Sequence, residues 1–366
     1  MKKESVVSSQ LYSPTMTKDY SRISNTARAV NAEVLPKMKA YLRRISPQIA
    51  SMSSEEAFVI ADYGAADGAN SSELFLEIIR QIHEVNFDLA IKLVYIDLAD
   101  RKNFQEFWED SALSKMEHVD CQYIERSFYE PFPEMEGSLQ IGFSSTALHW
   151  MNAKTAKQDF FRHPNCLQPN QLSLHECRRF AEKWKEDFRT FLQECSKSLA
   201  NGGALFLANL ANLGEDRWPA SPGYNNLWEI CLELHRERKL SDAELEAIFV
   251  PDYFATAQEM AESLSEDYLR ICFSLNCCDP LTVPCAYFTR AQEERLGDQE
   301  ERSKLAATLA RVVRAWSESS MQIGLNPENK TLIEEIYQRL EDRFYKKPEA
   351  LPYQYCLLEI AKKNHA

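Results

Sequence analysis

No stretch of this chain reaches the about 18 consecutive apolar residues that a membrane-spanning helix needs. The opening segment, Met1-Lys-Lys-Glu-Ser-Val-Val-Ser-Ser-Gln10, also lacks the apolar run of a secretory signal. A soluble, cytoplasmic protein with no membrane partner is therefore expected. Lysine and arginine are outnumbered, 42 against 55 acidic residues, and are nowhere clustered; the formal charge of −13 excludes an electrostatic grip on nucleic acid. Among the ten cysteines there is no C-x-x-C pair, and among the seven histidines no i, i+4 pair. A disulfide framework and a metal site are both unexpected, and the cysteines read as reduced core residues. The chain also lacks G-x-G-x-x-G, G-x-S-x-G, internal repeats and low-complexity tracts. These absences leave a small molecule as the expected partner.

What is present is organised around Phe58-Val-Ile-Ala-Asp-Tyr-Gly-Ala-Ala-Asp-Gly-Ala-Asn70. The apolar run predicts a buried strand ending at an acid, and Gly64 and Gly68 punctuate the turn that follows. Ser71 or Ser72 then caps a helix whose face carries Leu74, Ile78 and Ile82. In an open α/β sheet such a strand, glycine turn and helix form the crevice where a nucleotide-like ligand sits. Taken alone, the same residues serve equally as a structural turn.

At 366 residues and 45% hydrophobic, the chain suits one large α/β domain with an elaborate insertion, or two modest domains. A polar N-terminal stretch leads into a helical pattern through Ala27, Val30, Val34, Met38 and Leu42, a segment placed to close over a site. Further strands are predicted at Ala90–Asp97, Cys121–Glu125, Leu139–Ser145, Ala204–Asn209, Tyr268–Leu275 and Tyr353–Ile360, making seven. A long amphipathic helix over about 175–199 ends at a glycine cap signal, Asn201-Gly-Gly203, and a charged helix covers 291–325. The alternation predicts a mostly parallel sheet covered on both faces. Asp97, closing the second strand, is placed either to accept ribose hydroxyls or to cap the next turn.

Three classes fit a crevice of this kind: a nicotinamide dehydrogenase, an S-adenosylmethionine methyltransferase, and a non-catalytic binding module. The loop Gly64-Ala-Ala-Asp67-Gly68 puts a negative charge where a dehydrogenase presses a pyrophosphate against the helix. That charge suits a sulfonium or ammonium better, so S-adenosylmethionine is the expected cofactor.

Four stretches carry a resemblance: Ile60-Ala-Asp-Tyr-Gly-Ala-Ala-Asp-Gly-Ala-Asn70, Tyr95-Ile-Asp-Leu98, Ser127-Phe-Tyr129 before Phe132-Pro133, and Phe143-Ser-Ser-Thr-Ala-Leu-His-Trp150. In order and spacing they resemble the SABATH methyltransferases, which act on salicylic acid, benzoic acid and theobromine-type substrates. Weaker likeness continues through Leu227-Trp228, Val250-Pro-Asp-Tyr253 and Val313-Arg-Ala315, covering nearly the whole chain. The resemblance implies a Rossmann-like, seven-stranded class I methyltransferase sheet of the α/β class, with a helical cap, and a homodimer. It implies that Asp62 and Asn70 hold the methionine end of the cofactor, Asp97 and Leu98 the ribose and adenine, and Ser127 and Phe128 the adenine edge and face; Gly64, Ser144 and Asp67, whose charge departs from the family's loop, are further cofactor-binding candidates. Tyr20 and Ser24 match an element that folds over cofactor and substrate, Trp150 a carboxylate-fixing tryptophan, and Trp228 an aromatic wall of the acceptor pocket.

Two departures bear on the acceptor and the metal. Ala27 stands where the family has a carboxylate-binding glutamine, with Arg28 and His149 as replacements for the missing donor. Glu246, Ile248 and Phe249 stand where some relatives hold Mg²⁺, so no metal is expected. Trp228 and His149 also fit as ordinary core residues.

The expected division is an N-terminal lid and helix over 1–50, a cofactor-binding core of 51–210, 263–277 and 351–366, and cap insertions at 150–175, 211–262 and 278–350. The expected reaction methylates the carboxylate of a small, largely apolar acid, with Trp150 and His149 as its catalytic donors. N-methylation of a small heterocycle and an inactive binding relative are the alternatives.

Overall fold

A computed structural model describes residues 25–53, 55–157, 159–214 and 221–364. Helices α1 (Asn25–Arg44) and α2 (Ser46–Ser51) precede β1 (Ala57–Tyr63), α3 (Ser72–Val85), β2 (Ala90–Asp97), α4 (Arg101–Asp110), β3 (Val119–Glu125) and β4 (Leu139–Ser145). Then come α5 (Leu174–Ser198), β5 (Leu199–Leu210), α6 (Pro222–Arg236), α7 (Asp242–Ala247), α8 (Ala257–Ser263), α9 (Asp267–Cys272) and β6 (Phe273–Val283). The chain closes with α10 (Arg290–Glu293), α11 (Gln299–Gly324), α12 (Leu332–Lys346) and β7 (Tyr353–Lys362).

Among the described residues the strands form one seven-stranded sheet in the order β3-β2-β1-β4-β5-β7-β6. β1 to β5 pair in parallel, while β7 runs antiparallel to both β5 and β6. The order reverses at β1 and β4, where the chain leaves the sheet in opposite directions and opens a crevice at the strands' C-terminal ends.

Both faces of the sheet are buried, which is why its strands read as apolar runs and not as alternating ones. On one face α1 and α3 pack Val30, Val34, Met38, Leu74, Ile78 and Ile82 into a core shared with Ile60, Ile141 and Phe206. This core continues into α6, α11 and α12 through Leu227, Val313 and Leu340. On the other face α5 lays down Phe180, Trp184, Phe188 and Phe191, all within 1% of complete burial, each stabilising by about 1.5–3 kcal/mol. A capping box at Ser173 and Glu176 starts that helix.

Several boundaries differ from expectation. β5 begins at Leu199, so Asn201-Gly-Gly203 lies inside the strand and is not a helix cap; α5 hands over directly to extended backbone at Leu199. The stretch from Tyr268 starts as helix α9, with Leu269 and Cys272 buried and Tyr268 and Ile271 more than half exposed, a spacing of three that only a helix provides. The strand follows it and extends to Val283, beyond the expected core boundary. α4 and α12 are additions to the predicted elements.

Candidate functional site

The turn after β1 is tied to β2 before any ligand is considered. Gly64 and Ala65 donate their amides to the Ile96 carbonyl at 2.8 and 3.2 Å, and the Ala66 amide reaches Asp97 Oδ2 at 2.8 Å. Gly64 has φ of +82°, and a Cβ there would come within 2.3 Å of Ala147 Cβ, so both conformation and space demand glycine. The result is a cleft across the ends of β1, β2 and β4.

Of the expected site residues, Asp62, Gly64, Asn70, Asp97, Leu98, Ser127, Phe128 and Trp150 line this cleft. Asp62 is 4% exposed, and burial pushes its carboxyl up to about 7 against the opposing pull of the Ser71 hydroxyl. Burial likewise raises Asp97, while the amides of Ala66, Ala99 and Leu98 favour its charged form. The Ser127 hydroxyl accepts from the Tyr129 amide at 3.3 Å, fixing the turn that presents Phe128.

Other expected residues lie elsewhere. Asp67 accepts from the Ala69 amide at 3.1 Å within its own turn and does not line the cleft. Ser144 points away, donating to the Tyr63 carbonyl at 2.8 Å; the serine that lines the cleft is Ser145, whose hydroxyl has no partner among the described residues. Arg28 is exposed on α1, and the cleft receives Ala27 and Asn31 from that helix instead. Trp228, on α6, is half-buried against the core and outside the cleft lining. Tyr20 and Ser24 lie outside the described residues.

His149 is buried behind Trp150, the ring centroids 5.4 Å apart, and does not line the cleft. Burial lowers its pKa to about 3, so the ring is neutral throughout the physiological range. Trp150 is held by its backbone: its carbonyl accepts from the Tyr129 hydroxyl at 2.6 Å, and it bridges Asp252 across a short antiparallel pairing. Its indole Nε1 is buried with no hydrogen-bond partner among the described residues.

Residues that the sequence reading missed are Asn31, Ser145 and the loop Asn152–Lys154, all in the cleft lining. Lys154 is the one basic residue among the described cleft residues, and it is paired with Glu130 at 2.6 Å. The donor set is thus poor in positive charge and rich in acceptors, with acids at the ends of two neighbouring strands and the aromatic side chains Phe128, Tyr129, Phe143 and Trp150 in the lining. That combination fits a ligand carrying an ammonium, a ribose and a purine, and it does not fit a pyrophosphate.

The sequence pattern of the family described as SAM dependent carboxyl methyltransferase matches residues 15–362. The chain belongs to this family. These carboxyl methyltransferases are the SABATH enzymes that the four motifs resemble. Methyltransferase FUS9 of Gibberella moniliformis (strain M3125 / FGSC 7600) is 23% identical over 252 residues, 65% of this chain and 64% of that protein. The match therefore spans less than two thirds of that relative's length. The structure of a loganic acid methyltransferase with SAH shares the fold, with a TM-score of 0.71 at 14% identity, over 96% of this chain and 99% of that one. S-adenosylmethionine is the cofactor of this family, and Asp62, Asn70, Asp97 and Phe128 stand in the cleft at the β1–β2–β4 ends. Among the described residues no cluster of acids, histidines and cysteines suited to a metal ion occurs, and no helix is long and apolar enough to cross a membrane.

Proposed function

We propose that this protein transfers the methyl group of S-adenosylmethionine to the carboxylate of a small, largely apolar acid, giving its methyl ester. The observation that carries this reading is Trp150 Nε1, a buried donor on a cleft-lining side chain with nothing to bind among the described residues. An unmet indole N–H is costly in isolation and becomes useful when an acceptor oxygen enters. Phe143, Ala147 and Met151 make the surrounding wall apolar.

When bound, S-adenosylmethionine supplies an electrophilic sulfonium methyl for in-line displacement by the acceptor oxygen. The chain's residues then have four tasks. Asp62 and Asp97 hold the cofactor's two polar regions. Phe128 offers a face to the purine. Trp150 donates to one carboxylate oxygen and leaves the other free to attack. The neutral His149 packs behind the indole and fixes its plane.

No general base is needed, because a carboxylic acid of pKa about 4 is ionised near neutrality. Alignment in an apolar cleft can supply roughly 7–11 kcal/mol by proximity alone. We further propose a cytoplasmic homodimer, which rests on the family resemblance, with sedimentation analysis as its test.

The direct test of the Trp150 role is Trp150→Phe. Loss of one hydrogen bond to a charged group, about 1.5–3 kcal/mol, lowers kcat/KM for the acid by roughly tenfold or more. Unchanged kcat/KM with an acid substrate would remove the support for carboxylate binding at this position.

A further inference from the structure

Asn31 occupies an odd place on α1. That helix buries Ala27, Val30, Val34 and Met38 against the sheet, yet on the same stripe it carries an amide side chain only 4% exposed. Ala27 and Asn31 are separated by one helical turn, and both line the cleft. Asn31 Nδ2 donates to the Asn70 carbonyl at 2.9 Å. This bond fixes which way the amide faces, because a flip would set Oδ1 against that carbonyl oxygen. Asn31 Oδ1 is therefore the outward atom, and it is buried without a partner among the described residues.

We propose that Asn31 Oδ1 accepts a hydrogen bond from the ammonium of the cofactor's methionine end. Three observations converge on that group. The Asn31 amide grips the turn at Asn70, which follows β1, and the Asp62 carboxyl lines the same cleft from the end of β1, so both acceptors serve one end of the cleft. An acceptor-only oxygen beside a carboxylate repels a carboxylate ligand and suits a cation with several N–H donors. Finally, the one cation among the described cleft residues, Lys154, comes from the loop after β4, together with Asn152 and Ala153, and not from the β1 turn. The inference rests on the S-adenosylmethionine reading, and it adds a helix α1 residue to a site otherwise built from strand ends.

The test uses calorimetry with two ligands, S-adenosylhomocysteine and 5′-methylthioadenosine, which lacks the amino-acid end. Asn31→Leu removes both the acceptor and the tether to Asn70; Asn31→Asp keeps an acceptor and loses the tether. The expected result is S-adenosylhomocysteine binding weakened at least tenfold in N31L and within about threefold of wild type in N31D, with 5′-methylthioadenosine unchanged in both. Equal weakening of both ligands in N31L makes Asn31 a structural tether and overturns the inference, as does an N31L that binds both normally. A wild type that fails to bind S-adenosylhomocysteine overturns the cofactor reading itself; a wild type that binds it while N31L shows no selective loss overturns the Asn31 role alone.

Discussion

Trp150 and Asp252 stand directly opposite each other as a non-hydrogen-bonded antiparallel pair. The Met151 amide donates to the Pro251 carbonyl and the Tyr253 amide to the His149 carbonyl, each at 2.8 Å, flanking the bridge. In such a pair both side chains leave the same face at close approach. A fully buried carboxyl therefore sits beside the indole that lines the cleft. Its Oδ2 accepts from the Tyr224 hydroxyl, and its Oδ1 has no hydrogen-bond partner among the described residues.

Burial pushes the Asp252 carboxyl up to about 7 from an ordinary 3.8, so between those values the folded protein keeps a proton that the unfolded chain has lost. Stability from this group accordingly falls as pH rises through that window, by about 4 kcal/mol in all. Asp252→Asn retains an acceptor for Tyr224 and removes the titration. The difference in Tm, variant minus wild type, becomes more positive from pH 5 to pH 8. A difference that is constant with pH contradicts the assignment.

Asp62 makes the opposite coupling to ligand. Its carboxyl, at about 7 in the ligand-free protein, must be ionised to bind an ammonium, so affinity for S-adenosylhomocysteine rises with pH and levels off above 7. At pH 6 binding is roughly tenfold weaker than on the plateau, because about one site in ten is ionised. Calorimetry in buffers of different ionisation enthalpy detects the released proton. Asp62→Asn binds more weakly and loses the pH slope.

The loop that carries the far wall of the cleft hangs from a buried ion pair on α5. Lys183 and Asp187 bond each other; Asp187 Oδ2 accepts from the Asn152 amide at 2.8 Å, and Lys183 Nζ donates to Thr155 Oγ1 at 2.8 Å. Lys183→Met leaves an uncompensated buried charge and costs about 3–5 kcal/mol in urea denaturation. The double change with Asp187→Leu recovers most of that stability but not the loop anchor, so S-adenosylhomocysteine affinity stays below wild type. Full recovery of affinity in the double variant would show that the pair does not position the loop.

Much of this architecture was legible because two buried faces write plain apolar runs. β1, β2 and β4 were found at or within one residue of their ends, and the acids Asp62 and Asp97 marked the cleft. What failed had local causes. Leu269-Arg-Ile-Cys272 satisfies a strand's alternation and a helix's spacing equally, and tertiary burial of Leu269 and Cys272 chose the helix. Ser144 and Ser145 differ only in strand parity, which shifts where β4 and β5 change register between Leu139 and Ile141. Asn31 did leave a signal, a polar residue on an otherwise apolar helical stripe one turn from Ala27. Trp228 could not be assigned from sequence, because a tryptophan on an amphipathic helix packs as readily against the core as into a pocket.

The most direct measurement of the central claim follows the methyl group itself. Purified protein is incubated with S-adenosylmethionine labelled in its methyl, a panel of aromatic, indolic, fatty and terpenoid acids, and a parallel panel of xanthines and other N-heterocycles, and the products are identified by mass spectrometry and alkaline hydrolysis. The account predicts base-labile methyl esters of one or more apolar acids, formed at least tenfold more slowly by Trp150→Phe. Label appearing only on nitrogen, or no turnover from a protein that binds S-adenosylhomocysteine tightly, would contradict carboxylate methylation.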